Sequence, residues 1–200
     1  MISARSAALA PRSSWRWLAL AASSGGPAAL RDLLAELPAP LPLRVVIVLH
    51  VARGLELRFA EWLAGTLGID ARVARDGEQP RSGAVRVAAG GAHLLVTADG
   101  RLKLDSATPP RHGHRPSADE LFLSLAAAAP HDTAAALLTG MGTDGAEGLL
   151  ALRRAGAFCV AQDEASSAVF GMPRAARELD AAELALSPRE LGRELARRLT

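Results

Sequence analysis

WLALAASSGGP at residues 17–27 joins six apolar residues to a Ser-Ser-Gly-Gly turn and a proline. A continuous apolar run of this length is typical of a strand that is buried on both faces of a parallel sheet. Pro27 suits the first turn of a helix, where its missing N–H has no helical acceptor to bond. The stretch therefore predicts a strand over 17–22 and, after the turn, a helix from about 27 to 37.

Short apolar runs alternate with longer helical segments along the rest of the chain. RVVIVL at 44–49 predicts a second buried strand, and Asp99-Gly100 predicts the turn of a small antiparallel hairpin. Further strands are predicted over 71–74, 84–89, 93–98, 101–105, 134–139 and 157–162, and further helices over 55–67, 117–129, 146–154 and from 187 onward. This order indicates a doubly wound α/β fold with a mainly parallel sheet flanked by helices.

The composition indicates a folded domain and excludes several classes of protein. Half of the 200 residues are hydrophobic and 22% are charged, which suits one domain with a sizeable core. The net charge of +2 is too small to predict nucleic-acid binding, and no run of about 20 apolar residues predicts insertion into a membrane. We expect a flexible tail over 1–14, a single domain over 15–200 and a cytoplasmic location. The lone Cys159 cannot close an internal disulfide and is predicted to be a buried core residue.

Three of the predicted strands end in loops that carry reactive side chains, namely Ser23 and Ser24, then His50, then Asp144. Because the carboxyl ends of parallel strands lie at one edge of a sheet, these loops can converge on one cleft. A hydroxyl, an imidazole and a carboxylate are the groups needed for nucleophilic acyl transfer. Each residue also has a purely structural interpretation. The serine turn can cap a helix, His50 can bond a backbone carbonyl, and Asp144 can form a turn or a cap.

Five stretches of the sequence together point to a family. They are Ala-Ala-Ser-Ser-Gly-Gly-Pro at 21–27, Val-Leu-His at 48–50, Arg-Pro-Ser-Ala-Asp-Glu-Leu-Phe at 115–122, Leu-Thr-Gly-Met-Gly-Thr-Asp-Gly-Ala at 138–146 and Ala-Gln-Asp-Glu-Ala-Ser-Ser-Ala-Val-Phe-Gly-Met-Pro at 161–173. In this order they resemble the catalytic domain of the chemotaxis methylesterases, the CheB family, from residue 18 to residue 176.

The resemblance implies a reaction and a role for each side chain. Ser23 is expected to be the nucleophile, His50 the general base and then acid, and Asp144 the residue that orients His50. The backbone N–H groups of Met141 and Ser24 are expected to hold the oxyanion. The family hydrolyses glutamate γ-methyl esters on chemoreceptor helices to glutamate and methanol, deamidates certain receptor glutamines, and uses no metal or organic cofactor.

The resemblance also implies partners, and the sequence departs from the family pattern in places. The expected partners are the cytoplasmic helices of methylated chemoreceptors, with a separate response-regulator or receiver protein as a second candidate. Sixteen residues precede the first predicted strand, which predicts that no receiver domain is attached. Ala21, Ser24 and Leu49 stand where the family usually has glycine, threonine and glutamine. Ser24 keeps a hydroxyl and a backbone N–H, so we expect function to survive that change. The effects of Ala21 on the turn and of Leu49 on substrate binding stay open. Arg111 and Arg115 are interpreted as solvated loop charges rather than as contacts for an acidic receptor.

Three other functions stay open on the sequence alone. His112 and His114, with His93, His131 or nearby carboxylates, are candidate zinc ligands, although their spacing differs from common structural zinc motifs. A non-catalytic signalling scaffold with the same fold is the second alternative, and a hydrolase of small esters is the third. Shallow access to Ser23 favours a protein substrate, and a deep enclosed pocket favours a small one.

Overall fold

The computed structural model describes residues 15–199, so the predicted tail over 1–14 lies outside the described residues. Within that range the strands are β1 (Trp17–Ala22), β2 (Arg44–Leu49), β3 (Asp70–Val73), β4 (Ala84–Val87), β5 (His93–Val96), β6 (Leu102–Asp105), β7 (Thr133–Leu137), β8 (Phe158–Gln162) and β9 (Leu184–Leu186). The α-helices are α1 (Gly26–Leu34), α2 (Leu55–Leu67), α3 (Ala118–Ala128), α4 (Ala146–Arg154), α5 (Met172–Glu178) and α6 (Pro188–Leu199), and a 3-10 turn at Pro130–Asp132 precedes β7.

The strands form the predicted parallel sheet and a separate hairpin. Seven strands lie in the order β3-β4-β2-β1-β7-β8-β9, and every neighbouring pair is parallel. β5 and β6 pair in antiparallel fashion around the predicted turn at Asp99-Gly100. Strands β2, β4 and β3 lie on one side of β1, and β7, β8 and β9 lie on the other, so the strand order switches between β1 and β7. The predicted fold class is confirmed, and the switch point is where such sheets bind ligands.

Two hydrophobic layers cover the two faces of the sheet. Leu18 and Leu20 of β1 pack under α1, α2 and α6. Trp17, Ala19 and Ala21 of the same strand pack against α3, α4, α5 and the hairpin. All six residues of β1 are buried because helices cover both faces, which is why the strand is a continuous apolar run in the sequence.

Helix α3 begins at the predicted cap and is joined to the hairpin as well. The Ser117 hydroxyl accepts the N–H of Glu120 at 3.4 Å, which is one half of the predicted capping box. The other half is replaced, since the N–H of Ser117 donates to Nδ1 of His93 at 3.2 Å. The carboxylate of Glu120 pairs with Arg111 instead. The start of α3 is therefore fixed from two sides.

The structure adds two elements that the sequence did not predict and shortens a third. Helix α5 starts at Met172 with Pro173 in its first turn, and β9 is a three-residue strand at the edge of the sheet. Helix α1 ends at Leu34 rather than near 37, because the N–H of Leu37 bonds to the carbonyl three residues back and tightens the chain into a turn.

Two simpler expectations concern the core and the membrane. Cys159 is fully buried in β8, and burial raises the pKa of its thiol, so it is a core residue as predicted. Among the helices of residues 15–199, none combines the length and the apolar character that a bilayer span requires.

Candidate active site

Ser23 and His50 lie next to each other at the carboxyl edge of the sheet. Ala22 and Leu49 are register partners at the ends of β1 and β2, and each predicted site residue follows directly. The N–H of His50 donates to the carbonyl of Ala22 at 3.0 Å, and the N–H of Ser23 donates to the carbonyl of Thr139 at 2.9 Å. These bonds continue the strand ladders past the last strand residues, so the predicted convergence of the three loops is observed.

Asp144 reaches the same place from the loop after β7. Its Oδ2 lies 2.9 Å from Nε2 of His50, and the two side chains are only 1% and 8% exposed. The two atoms lie at hydrogen-bond distance, but the contact does not have the geometry of a regular hydrogen bond. The other ring nitrogen of His50, Nδ1, is buried and has no hydrogen-bond partner among the described residues.

The carboxylate of Asp144 is held by the first turn of α3. The Ser117 hydroxyl donates to Oδ1 at 2.6 Å, and the N–H groups of Ala118 and Asp119 donate at 2.7 and 3.2 Å. Burial opposes ionisation of this carboxyl, but the contact with His50 and these three donors outweigh burial and hold its pKa well below the usual range. Asp144 is therefore a fixed anion, and the N-terminal end of the α3 dipole adds to its stability.

The Ser23 hydroxyl makes no hydrogen bond within residues 15–199, and none joins it to His50. Contacts between a nucleophile and its base are often loose in a site without substrate. The structure thus places Ser23 beside His50, and His50 in contact with Asp144. In the described residues no hydrogen bond joins the Ser23 hydroxyl to His50.

The predicted oxyanion groups flank Ser23. Among the described residues, no acceptor bonds the backbone N–H of Ser24 or of Met141. Ser24 precedes α1, whose N-terminal end directs further N–H groups toward the turn. The Met141 loop passes directly against Ser23, since a Cβ built on Gly140 would lie 2.7 Å from Cβ of Ser23. Both N–H groups are therefore available for an oxygen of the substrate.

Comparison with known proteins assigns the chain to a family. A family model described as CheB methylesterase matches residues 18–195. The chain belongs to the CheB methylesterase family. The crystal structure of the CheB methylesterase catalytic domain of Thermotoga maritima superimposes with a TM-score of 0.87 at 30% identity, covering 93% of this chain and 99% of that one.

Curated relatives of the CheB family align over most of this chain. A protein named protein-glutamate methylesterase/protein-glutamine glutaminase 3, from Anaeromyxobacter dehalogenans (strain 2CP-C), is 48% identical over 181 residues, or 90% of this chain and 53% of the relative. A protein of the same type from Burkholderia lata is 42% identical over 206 residues, covering 100% of this chain and 60% of the relative. The chain thus spans roughly half the length of the curated relatives it matches.

The two departures from the CheB pattern within the strands lie in the core. Ala21 is fully buried in β1 on the α3 side of the sheet. Leu49 packs on the opposite face, where its Cδ1 lies 2.8 Å from the position of a Cβ on Gly26 at the start of α1. His50 alternates to the other side of the sheet, so Leu49 is directed away from the cleft.

Two further residues of this CheB-family site connect its loops, and the sequence analysis did not identify them. The Thr139 hydroxyl donates to the carbonyl of Ser24 at 2.9 Å and accepts the N–H of Val169 at 3.0 Å. Oε1 of the buried Gln162 accepts the N–H of Thr139 at 2.8 Å, and its Nε2 donates to the carbonyl of Ser166. The only sequence signals for these two residues were their positions: the Thr directly follows one apolar strand, and the Gln ends another.

The histidines predicted as zinc ligands do not converge. His93 contacts backbone groups through both ring nitrogens, His131 lies beside Gly156, and His114 stacks on His50. These three histidines make other contacts, so a zinc site built on several histidines is not assembled in the described residues.

One group within the described residues does have metal-ligand spacing. Ligand atoms of His112, Asp119 and Glu147 lie within 4.8 Å of one another. The guanidinium of Arg111 already lies among them, 2.8 Å from Glu147 and 3.5 Å from Asp119. A cation would have to displace this charge. Arg111 is thus an ion-pair partner within the described residues, and Arg115 donates to two backbone carbonyls, while both side chains stay partly exposed.

Replacing Gly140 with alanine is expected to lower kcat/KM by about 100-fold or more. The added methyl would collide with Met172 and lie 2.7 Å from Cβ of Ser23. Ser23, the predicted nucleophile, must then shift, and a displacement near 1 Å at a reacting group costs about that factor. Ester hydrolysis and thermal unfolding of the variant check this. Gly65→Ala is the matched control, because a methyl there meets nothing within 4 Å, and it should keep full activity with up to about 1 kcal/mol of added stability. Equal activity of the two variants would contradict the placement of the loop.

Proposed function

We propose that this chain is a serine hydrolase that removes γ-methyl esters from glutamate side chains of chemoreceptor-type proteins. Ser23 is the nucleophile, His50 the base and Asp144 the orienting anion. The observation that carries the proposal is the buried contact between His50 and Asp144 beside Ser23, with the second ring nitrogen of His50 unpartnered. A buried ring nitrogen without a hydrogen-bond partner costs free energy unless a substrate or a catalytic group bonds to it. The Ser23 hydroxyl is the candidate partner, because Ser23 and His50 directly follow the register partners Ala22 and Leu49.

The reaction follows the usual two steps of acyl transfer. Oγ of Ser23 bonds to the ester carbonyl carbon while its proton passes to the ring nitrogen of His50 that does not face Asp144. His50 returns that proton to the departing methoxide, which leaves as methanol. Water then attacks the acyl-enzyme with His50 as base, and the proton returns to Ser23 as free glutamate leaves. The N–H groups of Met141 and Ser24 bind the oxyanion, and one such donor contributes roughly 3–4 kcal/mol.

The shape of the site supports a protein substrate over a small ester. The side chain of Met141, in the loop against Ser23, is 70% exposed. Cavities of about 280, 340 and 420 Å³ in the described part of the chain are lined by residues other than Ser23, His50 and Asp144. A side chain projecting from a helix can reach a shallow site of this kind. The names of the relatives supply the substrate, glutamate esters, and add glutamine deamidation, which uses the same acyl-enzyme with ammonia as the leaving group.

The remaining expectations follow from the proposed reaction. Residues 15–200 form the single catalytic domain, and the substrates are the cytoplasmic helices of methylated receptors. This places the reaction in the cytoplasm, with a separate receiver protein as a candidate regulator. The proposed chemistry needs only side chains, backbone N–H groups and water, so the reaction as written requires no cofactor.

A direct assay distinguishes the candidate functions. The purified chain is incubated with a receptor cytoplasmic fragment that carries labelled methyl esters, and released methanol is measured together with hydrolysis of a small ester such as p-nitrophenyl acetate. We expect methanol release at a much higher kcat/KM than small-ester hydrolysis. Rapid hydrolysis of the small ester alone would support the small-ester hydrolase. No hydrolysis of either substrate, by a folded chain that still binds the fragment, would support the scaffold.

A further inference from the structure

We propose that His114 is a positioning residue, whose flat ring holds the plane of the His50 imidazole so that one nitrogen faces Asp144 and the other faces Ser23. The inference rests on the proposed function, because it assigns a role within that site. His114 lies between β6 and α3, far along the chain from the three loops that carry the proposed catalytic residues.

The geometry of the two rings carries this proposal. The centroids of His50 and His114 lie 3.9 Å apart, and the ring planes differ by 3°. One face of the His50 ring is therefore covered by a parallel ring at van der Waals distance. The contact between the edge of the His50 ring and Asp144 does not have the geometry of a regular hydrogen bond, so by itself it leaves the His50 ring free to rotate. The stacked His114 ring restricts tilting of the His50 ring plane. The two contacts are complementary, and together they define the orientation of His50.

The loop that carries His114 is itself fixed. The N–H of His114 donates to the carbonyl of Arg111 at 2.8 Å, and the N–H of Arg111 donates back at 3.1 Å. The guanidinium of Arg111 pairs with Glu120 of α3 and Glu147 of α4. On the other side of His114, Arg115 donates to the carbonyl of Ser106 at 2.9 Å. Two anchored arginines thus flank the stacking residue, so its ring is a rigid support.

The charge of His114 suits a ring that lies against a base. Charged or titratable groups face it from three places: His50 after β2, Asp144 after β7, and His112 on its own loop. Burial first, and then the two histidine rings, lower the pKa of His114 against the opposing pull of Asp144, so the ring is neutral at neutral pH. A neutral ring face stabilises the imidazolium that His50 becomes during the reaction, whereas a second positive charge would oppose it.

The test compares three substitutions in the full chain with the labelled receptor fragment as substrate. His114→Ala removes the ring and is expected to lower kcat by roughly 10- to 100-fold with little change in KM, as a misaligned base does. His114→Phe keeps a flat ring and should recover most of the lost kcat. His112→Asn is the matched control, because His112 lies on the same loop with φ of 49°, a conformation that asparagine tolerates, and does not stack on His50. Its kcat should be unchanged.

A spectroscopic readout separates positioning from a general loss of structure. Long-range ¹H–¹⁵N spectra of the His50 ring should report one tautomer in the wild type and in His114→Phe, and a mixture in His114→Ala, at unchanged far-ultraviolet circular dichroism. If His114→Ala does not fold, His114→Leu fills the volume without a flat ring and takes its place.

The outcomes distinguish this inference from the proposed function. Unchanged kcat and unchanged His50 spectra in His114→Ala would overturn the positioning role, and so would a Phe variant as impaired as the Ala variant. If Ser23→Ala and His50→Ala keep their activity, the proposed function fails whatever His114 does. If those two variants are inactive while His114→Ala is fully active, only the inference about His114 fails.

Discussion

Ser23→Ala is expected to reduce kcat for methyl-ester hydrolysis by roughly 10⁴- to 10⁶-fold, as loss of the nucleophile does in other serine hydrolases. The Ser23 hydroxyl is the proposed acyl-enzyme group because Ser23 directly follows Ala22, the register partner of the residue before His50. Its removal leaves the N–H groups of Ser24 and Met141 free to bind the ester, so KM should change much less than kcat. Methanol release from the labelled receptor fragment measures both constants.

The same substitution should leave folding nearly intact. The Ser23 hydroxyl makes no hydrogen bond in residues 15–199, and the backbone bonds of Ser23 to Thr139 and Gly26 do not involve the side chain. The free energy of unfolding should therefore change by less than about 1 kcal/mol. Denaturant unfolding checks this, so that loss of activity is not mistaken for loss of structure.

Ser24→Ala is the matched control for the nucleophile assignment. The two serines are neighbours, and the Ser24 side chain likewise has no hydrogen bond in the described range, whereas its backbone carbonyl accepts from Thr139. Alanine keeps the backbone N–H of position 24, so activity should fall little. A Ser23→Ala variant that retains more than a tenth of wild-type activity, or a Ser24→Ala variant that is equally inactive, would refute the assignment.

The sequence predicted the sheet and the position of the site because both depend on local patterns. Apolar runs such as 44–49 are long enough to indicate buried strands, and a polar residue that follows such a run must lie at the carboxyl edge. On that basis Ser23 and His50 could be predicted to converge on one cleft, whereas their neighbouring positions come from the pairing of β1 with β2. The short edge strand β9 escaped prediction because three residues, two half-buried and one exposed, are too few to show a periodic pattern.

The supporting residues of the site could not be predicted, because their contacts depend on distant parts of the chain. Ser117 meets Asp144 across 27 residues of sequence, and its local pattern predicts only a helix cap. His114 stands in a Pro- and Arg-rich loop that is typical of an exposed segment, yet tertiary packing places it on His50. The missed helix α5 is different, since Pro173 followed by alanines and charged residues was a usable helix signal.

Asp144→Asn is expected to lower kcat by about 10³- to 10⁴-fold, because an orienting carboxylate fixes the His50 tautomer and stabilises the imidazolium. The amide has one acceptor oxygen where the carboxylate has two. An NH₂ group in place of Oδ2 faces Nε2 of His50 and the N–H of Ala118. In place of Oδ1 it faces the Ser117 hydroxyl and the N–H of Asp119. One buried donor is then left without an acceptor, so the variant should also lose roughly 1–3 kcal/mol of stability at pH 7.

The stability loss of Asp144→Asn should depend on pH in a defined direction. The folded protein holds the pKa of Asp144 well below its unfolded value, which is about 4. The ionised carboxylate therefore stabilises the fold above about pH 4, and this contribution is lost as pH falls toward the folded pKa. The difference in unfolding free energy between wild type and Asp144→Asn should consequently narrow on acidification from pH 7 to about pH 3.5, as measured by urea unfolding.

Asp119→Asn supplies a control with the opposite sign. Asp119 is as buried as Asp144, but burial and the neighbouring Asp144 charge raise its pKa, against the N–H of Gly148 and Arg111. Protonation of Asp119 is thus favoured in the folded state, and the wild type should gain stability relative to Asp119→Asn as pH falls through the raised pKa. Parallel slopes for the two variants would contradict the opposite pKa shifts assigned to Asp144 and Asp119. A slope for Asp144→Asn that does not narrow on acidification would mean that α3 does not hold Asp144 as the anion.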